Sequence, residues 1–482
     1  MSRFLADLHR LTDARALALF RILFGVLMFY EINFYFGIHL VDMGLVGPKY
    51  LFKYEGFSWV APLGRDTMAA ILGGLAAAAL MIAVGLLYRL AIVYFLLGYT
   101  YIFLIDKGYY NNHFYLFVLL SFLMSLAPAS RAWSLDRVVF KRWMRRDRVP
   151  YWTWIALRAQ VVIVYFFGGI AKLNADWLLH QEPMRTVLAE TMKGGALADL
   201  ALSTPVVAFF TYGGVLFDLL IGPLLWWKRT RKYALPFVLL FNLTNHNLFD
   251  DIGVFPFFMI AATVLFFDPE EIARWVGGRR KAAARKGRGA AAEAVETVEP
   301  RMWWPLVNAL LAVYFVFQLF FPLRWLVRSG DPDWHTIAQR FSWRMKISTR
   351  LPLQVDFFVR DDDTGLKRPV QLDRFINNMQ AQLCVFDPRA SVQFAHWLKE
   401  EMQRRGMKNV RITAEIVISH NGRPYRYLWP TDLDLSVVRI DLDHPEDWVP
   451  DPEGGPAYAL PPGKLDELRR RVQLPTAPRT AR

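Results

Sequence analysis

The sequence predicts a polytopic α-helical membrane domain of about nine transmembrane helices, followed by a mostly β extracytoplasmic domain. Three observations carry that prediction. Of 482 residues, 54% are hydrophobic and only 21% charged, with 37 Phe, 19 Tyr and 17 Trp, which excludes a disordered, coiled-coil or collagen chain. Apolar runs close to the ~20 residues that a membrane helix needs recur between Ala14 and Pro322. Beyond Arg340 the runs shorten and begin to alternate, which is the period of a half-buried strand.

The spans fall near residues 14–36, 68–87, 89–105, 114–127, 153–171, 206–227, 233–249, 253–267 and 305–322, the fourth and eighth being short. The first follows Thr12-Asp13, a polar pair suited to an N-cap, and carries Arg21 and Glu31 within its apolar run. It lacks a small-residue cleavage site, so it reads as an anchor and not as a signal peptide. Basic residues favour cytoplasmic loops, and here they gather after even-numbered spans: Arg131 to Arg148, Lys228 to Lys232, and Arg279 to Arg288. The N-terminus is therefore expected in the cytoplasm and the segment beyond about Leu323 outside, in a plasma membrane of bacterial type. The expected domains are 1–275 in the membrane, a basic disordered linker over 276–302, the last span over 303–325 and a soluble α+β unit over 326–482. Most of the net charge of +14 is explained by this topology, which makes the lipid bilayer the partner and removes nucleic acid. The single cysteine, Cys384, excludes an intrachain disulfide and a Cys-rich metal site.

In the soluble unit, Val410, Ile412, Ala414, Ile416 and Ile418 alternate as one face of a strand, and His420-Asn421-Gly422-Arg423 supplies a hairpin turn into Tyr425 to Trp429. Asp361 to Gly365 is a second turn between strands. Asp387-Pro388 opens a helix as N-cap and N1, Phe394, Leu398 and Met402 form its stripe, and Gly406 ends it. A short helix is expected over Lys464 to Val472.

The polar residues hardest to explain fall in loops on the outer side. Asp106 to His113 joins spans three and four, Gly168 to Trp177 ends span five, and Phe241 to Pro256 joins spans seven and eight. Lys172 closes an apolar helix after two glycines, where desolvation would let it act as a base; a lysine snorkelling to the interface is the alternative. His113, beside two asparagines, suits a general acid, a proton shuttle or a charge-stabilising donor, or else a helix cap. His246 with Asp250 and Asp251 has a spacing that a metal could use, but an Asp pair before a helix start is explained by capping, and no metal is expected. Asp218 lies inside span six, so a buried partner is required, and Arg158 is the candidate.

These loops resemble the vitamin K-dependent gamma-glutamyl carboxylases and their bacterial relatives, the horizontally transferred transmembrane domain proteins. The likeness runs from about Thr12 to Asp434 through Asp106-Lys107, Asn111-Asn112-His113, Leu157-Arg158-Ala159-Gln160, Lys172-Leu173-Asn174-Ala175-Asp176-Trp177, Gly213-Gly214 with Asp218, Ile252-Gly253-Val254-Phe255-Pro256 and Phe341-Ser342-Trp343-Arg344-Met345. It implies that Lys172 deprotonates a reduced naphthoquinone, of vitamin K or menaquinol type, which reacts with O2 and rearranges to an epoxide through a strong base. That base removes a γ-proton from a glutamate of an exported polypeptide, and the carbanion captures CO2. The resemblance gives His113 the role of stabilising or relaying a proton. Asn112, Tyr165, Phe255, Pro256, Met259, Trp343 and Met345 are the expected lining of the quinol pocket by position, with core packing as the alternative for its aromatics and methionines.

The sequence departs from the family in places. Animal enzymes have two adjacent lysines where this chain has Ala171-Lys172, and Asn242 stands where the family commonly has histidine, with His246 displaced along the chain. The soluble part is also shorter than in the animal enzymes, which opens two alternatives: quinol epoxidation or carboxylation of another acid without protein-glutamate activity, and a non-enzymatic transporter or assembly factor.

Overall fold

The computed structural model describes residues 7–141, 147–192, 196–249, 252–276, 302, 304–450 and 455–473. Most of the expected linker, together with Asp250 and Asp251, lies outside the described residues, and so does the metal alternative that used those aspartates. The membrane part contains α1 (Ala14–Gly37), α2 (Arg65–Val84), α3 (Tyr88–Ile105), α4 (Asn112–Leu126), α5 (Tyr151–Ala171), α6 (Thr204–Trp226), α7 (Lys228–Leu248), α8 (Phe255–Ala262, continued as a 3-10 turn to Phe266) and α9 (Trp304–Phe320). Among the described residues, six helices are long and apolar enough to cross a bilayer: α1, α2, α3, α5, α6 and the segment Trp304–Val327 that begins with α9. The other three expected spans fall short in different ways. Helix α4 has 15 residues, Phe255–Phe266 is shorter still, and α7 spends its first turn on Lys228, Arg229, Arg231 and Lys232.

Helix α1 begins where the Asp13 carboxylate accepts the Arg15 backbone N–H at 2.8 Å, and it buries Phe20, Phe24, Met28 and Ile32 against its neighbours. Leu11–Asp13 (β1) pairs antiparallel with Arg148–Pro150 (β2), so the starts of α1 and α5 sit side by side, a pairing that three-residue strands give no periodicity to announce. The terminal nitrogens of the buried Arg21 guanidinium donate to carbonyls, of Trp133 at 2.5 Å, Ala83 at 3.3 Å and Ala129 at 3.4 Å. Gly85, at φ +68°, leaves the room that this guanidinium occupies. At the same end Arg158 donates from Nε to the Leu265 carbonyl at 2.7 Å, and Arg231 bonds Glu271 at 3.1 Å. Arg158 is therefore committed to the end of α8 and is not the partner of Asp218, as its sequence position had suggested; the two lie at different depths of the bundle.

At the opposite end the loops after α1, α3 and α5 meet the soluble domain. That domain holds a four-stranded antiparallel sheet in the order β4-β3-β5-β6, formed by Arg350–Asp361 (β3), Lys367–Pro369 (β4), Val410–His420 (β5) and Arg426–Tyr427 (β6). β3 and β5 pair from Arg350 opposite His420 to Asp361 opposite Val410, with an irregularity between Pro352 and Gln354. One face carries α10 (Asn378–Phe386) and α11 (Pro388–Arg404), packed through Phe357, Phe394, Leu398, Ile412, Ala414 and Ile416. Asp387 caps α11 as expected, and both Asn421 and Gly422 take positive φ in the hairpin turn. α10 was not foreseen, because its nine residues are shorter than the window over which helical periodicity is legible. Nor is β5 simply half-buried: Val417 on its other face is covered by Tyr427 and by Leu468 of α12 (Lys464–Gln473), so the alternation fades toward its end.

Candidate functional site

Helix α5 ends in Gly168-Gly169-Ile170-Ala171, and Lys172 is its C-cap. The glycines let α6 approach closely. A Cβ on Gly169 would lie 2.7 Å from the Leu219 side chain and 3.0 Å from its backbone nitrogen. That approach brings Asp218 to Lys172. The Nζ donates to Asp218 Oδ2 at 2.6 Å and to the Gly168 carbonyl at 3.2 Å, with Lys172 only 6% and Asp218 only 4% exposed. The ammonium also lies 5.2 Å from the Trp177 ring centre. Trp177 is itself fixed, its backbone N–H capped by Asn174 Oδ1 at 2.9 Å and its indole donating to the Thr211 carbonyl at 2.9 Å.

This pair faces a cavity of about 650 Å3, a size suited to a small-molecule ligand. Of the nine residues expected in the site, Lys172, His113, Asn112, Tyr165, Phe255, Pro256, Met259 and Met345 all line it. Trp343 does not: it is fully buried behind the wall, stacked on Tyr115 with 5.0 Å between ring centres. His113, 3% exposed at the start of α4, stacks at 5.5 Å on Phe255 of α8. Asn242 also lines the cavity and donates to the Val238 carbonyl at 2.9 Å, whereas the displaced His246 is exposed, packs on Phe257 and is not part of the lining.

Two features of the cavity go beyond its expected lining. Phe209, Leu216 and Leu220 of α6, with Phe237 and Leu240 of α7, line it and are also exposed on the outer surface, so it opens sideways between these helices. At the other end it is roofed by Arg344, Met345 and Lys346 from the soluble domain. These belong to a loop in which five non-glycine residues, Thr336, Ala338, Phe341, Trp343 and Lys346, take left-handed φ between 53° and 63°. Such backbone persists only where surroundings hold it. Here the Phe341 N–H donates to Tyr110 Oη at 2.6 Å, Arg324 to Ser342 Oγ at 2.8 Å, and Arg344 grips both oxygens of Asp333 at 2.9 and 2.8 Å. A left-handed run in bulky residues carries no sequence signal, so Arg344 and Lys346 were missed; Asp218 was marked as buried but given the wrong partner.

The roof is tied down by two junctions. Asp176 accepts from Arg423 at 2.9 Å twice and from Asn421 at 2.6 Å. Burial alone would raise the Asp176 carboxyl, but these donors hold it below the ordinary range. Asp106 accepts from Gln380 of α10, and Lys107 donates to Gln393 of α11 at 2.7 Å. Burial pushes Asp106 up to about 6 and Lys107 down to about 8.

The model of the HTTM domain matches residues 9–270, more than half of the chain, and that of the vitamin K-dependent gamma-carboxylase lumenal domain matches residues 304–453. The chain belongs to the gamma-glutamyl carboxylase-like HTTM family. The first match covers α1 to α8 and the second α9 and the sheet, so the cavity of this HTTM protein lies where the two matched regions meet. It is a membrane protein with a domain of lumenal type. No solved structure matches the chain.

Proposed function

We propose that this protein is an integral-membrane carboxylase that couples O2-dependent epoxidation of a reduced naphthoquinone to γ-carboxylation of glutamate in an exported polypeptide. One observation carries the reading: a buried lysine and a histidine converge on a single cavity that opens between the apolar faces of α6 and α7 on one side and is roofed by a soluble domain on the other. The lining suits a hydroquinone bearing an apolar tail. Its polar end holds Lys172, Asp218, Asn112 and Asn242, the stacked rings of Phe217 and Phe241 stand 3.8 Å apart on one wall, and the side opening presents only apolar residues. The ring would lie at the polar end with its tail between α6 and α7.

Lys172 takes the hydroxyl proton of the hydroquinone. The bound co-substrate, with O2, supplies the strong base. The apolar walls keep water from quenching it. His113, facing the same space from α4, relays a proton or stabilises the carbanion, and Lys346 in the roof draws the carboxylate of the glutamate. All nine helices cross the bilayer in this reading, α4 and α8 where it is thin or where protein covers their ends. The cluster of Arg131, Arg137, Lys228 and Arg229 then marks the cytoplasmic side.

The test is epoxide formation from menaquinol or reduced vitamin K by the purified protein in nanodiscs with O2, followed by the gain of one CO2 on a glutamyl peptide. Epoxide without carboxylated peptide narrows the activity to quinol epoxidation. No epoxide with either quinol sinks the reading.

A further inference from the structure

We propose that the base is not Lys172 alone but Lys172 and Asp218 acting as one proton-holding unit. The inference rests on the functional reading above for its substrate and on geometry for its substance. Asp218 Oδ2 lies 2.6 Å from Nζ, and both side chains are buried. Among the described residues lining the cavity, Asp218 is the only carboxylate. The remaining titratable or charged groups among the described residues lining the cavity are Tyr110 just before α4, His113 of α4, Tyr165 of α5, and Arg344 and Lys346 of the roof. Arg344 is neutralised by Asp333, and Asp176, the nearest acid on the loop after α5, is held by Arg423. α7 contributes the uncharged Asn242.

A lone ammonium in an apolar wall gives up its proton readily, and a lone carboxylate there takes one up. Held together, the two share one proton at rest, as ammonium with carboxylate or as amine with carboxylic acid. When the hydroquinone O–H bond breaks, its electron pair stays on the oxygen and its proton joins the unit, which then holds two: an ammonium beside a neutral carboxyl. The unit thus passes from net zero to one positive charge whichever site holds the proton at rest, and the ammonium stays against the new anion. Asp218 is in this sense a positioning residue, because it acts through Lys172. The close contact of Gly169 with Leu219 keeps it within reach.

The experiment measures the pH dependence of Lys172 acylation by trace acetic anhydride, read by mass spectrometry against an exposed lysine, in the wild type, Asp218→Asn and Asp218→Glu. It needs no quinol. Acylation requires the neutral amine, so loss of the carboxylate should move half-labelling to lower pH by about one unit or more, while Asp218→Glu keeps the wild-type profile. The acid limb of the epoxidation rate should move the same way in Asp218→Asn, and epoxidation kcat should fall more than KM changes. An unchanged labelling profile in Asp218→Asn overturns the proposal whatever the rates are. Absence of epoxide from the wild type overturns the functional reading instead, and labelling still decides the pair.

Discussion

Lys107 and Lys172 occupy equivalent places, one directly after α3 and the other directly after α5, and both are buried on the side of the bundle that meets the soluble domain. Their surroundings differ. Lys107 is buried in protein, donating to Gln393 at 2.7 Å with Glu55 at 3.9 Å, and it does not line the cavity that Lys172 faces. Lys172 has one tight partner and an open face toward about 650 Å3 of space. Lys107 is therefore placed as a structural bolt whose donors neighbours take up, and in the proposed function Lys172 is a reagent, since a cavity leaves room for another molecule to exchange a proton with it.

The largest effect that tests this contrast is at Lys172. Lys172→Ala should reduce epoxide formation by about 10²–10⁴-fold in a protein that still folds, measured by product chromatography beside circular dichroism. Retained activity would place the base elsewhere. Next, His113→Ala should lower CO2 incorporation into a glutamyl peptide by roughly 10²-fold while leaving epoxide formation largely intact, which separates the two half-reactions on one sample. Equal loss of both would make His113 part of the first step.

At the other lysine the expectation reverses. Lys107→Ala should cost about 2 kcal/mol of stability through the unpaired Gln393, Glu55 keeping its ion pair with Arg389, seen as a lower melting midpoint in detergent, with turnover per folded molecule nearly unchanged. A specific loss of turnover would erase the distinction between the two lysines. A smaller effect is expected at the second junction. Asp176 is held below the ordinary carboxylate range, so its contribution is complete above ~3.9 and is lost as pH falls through its lowered value. Hydrogen exchange in the 420–423 turn should rise on that acidification in the wild type, whereas Asp176→Asn should show the faster exchange already at neutral pH. Smallest of all, the exposed His246→Ala should change stability by less than about 0.5 kcal/mol and leave epoxidation alone, although the family places a histidine in the same helix.

Among the described residues, α1, α2, α3, α5, α6 and the segment begun by α9 were legible as membrane-capable helices, because a run of about twenty apolar residues suits little besides a helix in a membrane, whereas α4, α7 and α8 are helical where spans were expected but fall short of that length or apolarity. The Asn-Gly hairpin and the Asp387 cap were legible too, since one or two residue types dictate the backbone there. Legibility failed where the signal was shorter than a period, as at β1, β2 and α10, and where conformation ran against residue type, as in the left-handed roof loop. Trp343 illustrates a different limit. Its motif stood out, but Trp343 takes a left-handed φ and Met345 does not, and the two side chains part, Met345 lining the cavity and Trp343 packing in the core.

The amino-acid order determined that this chain enters a membrane, where its helices start and stop, and which loops carry polar chemistry, since these follow from local hydrophobicity and charge. It could not decide who pairs with whom across 46 residues of chain. Asp218 reaches Lys172 because α6 packs against two glycines of α5, and the roof is held over the cavity by pairs far apart in sequence, Asp176 with Arg423 and Asp106 with Gln380, that meet when the domains dock. Such contacts depend on the packing of whole helices and domains, and the free energy that selects them exists only in the assembled fold.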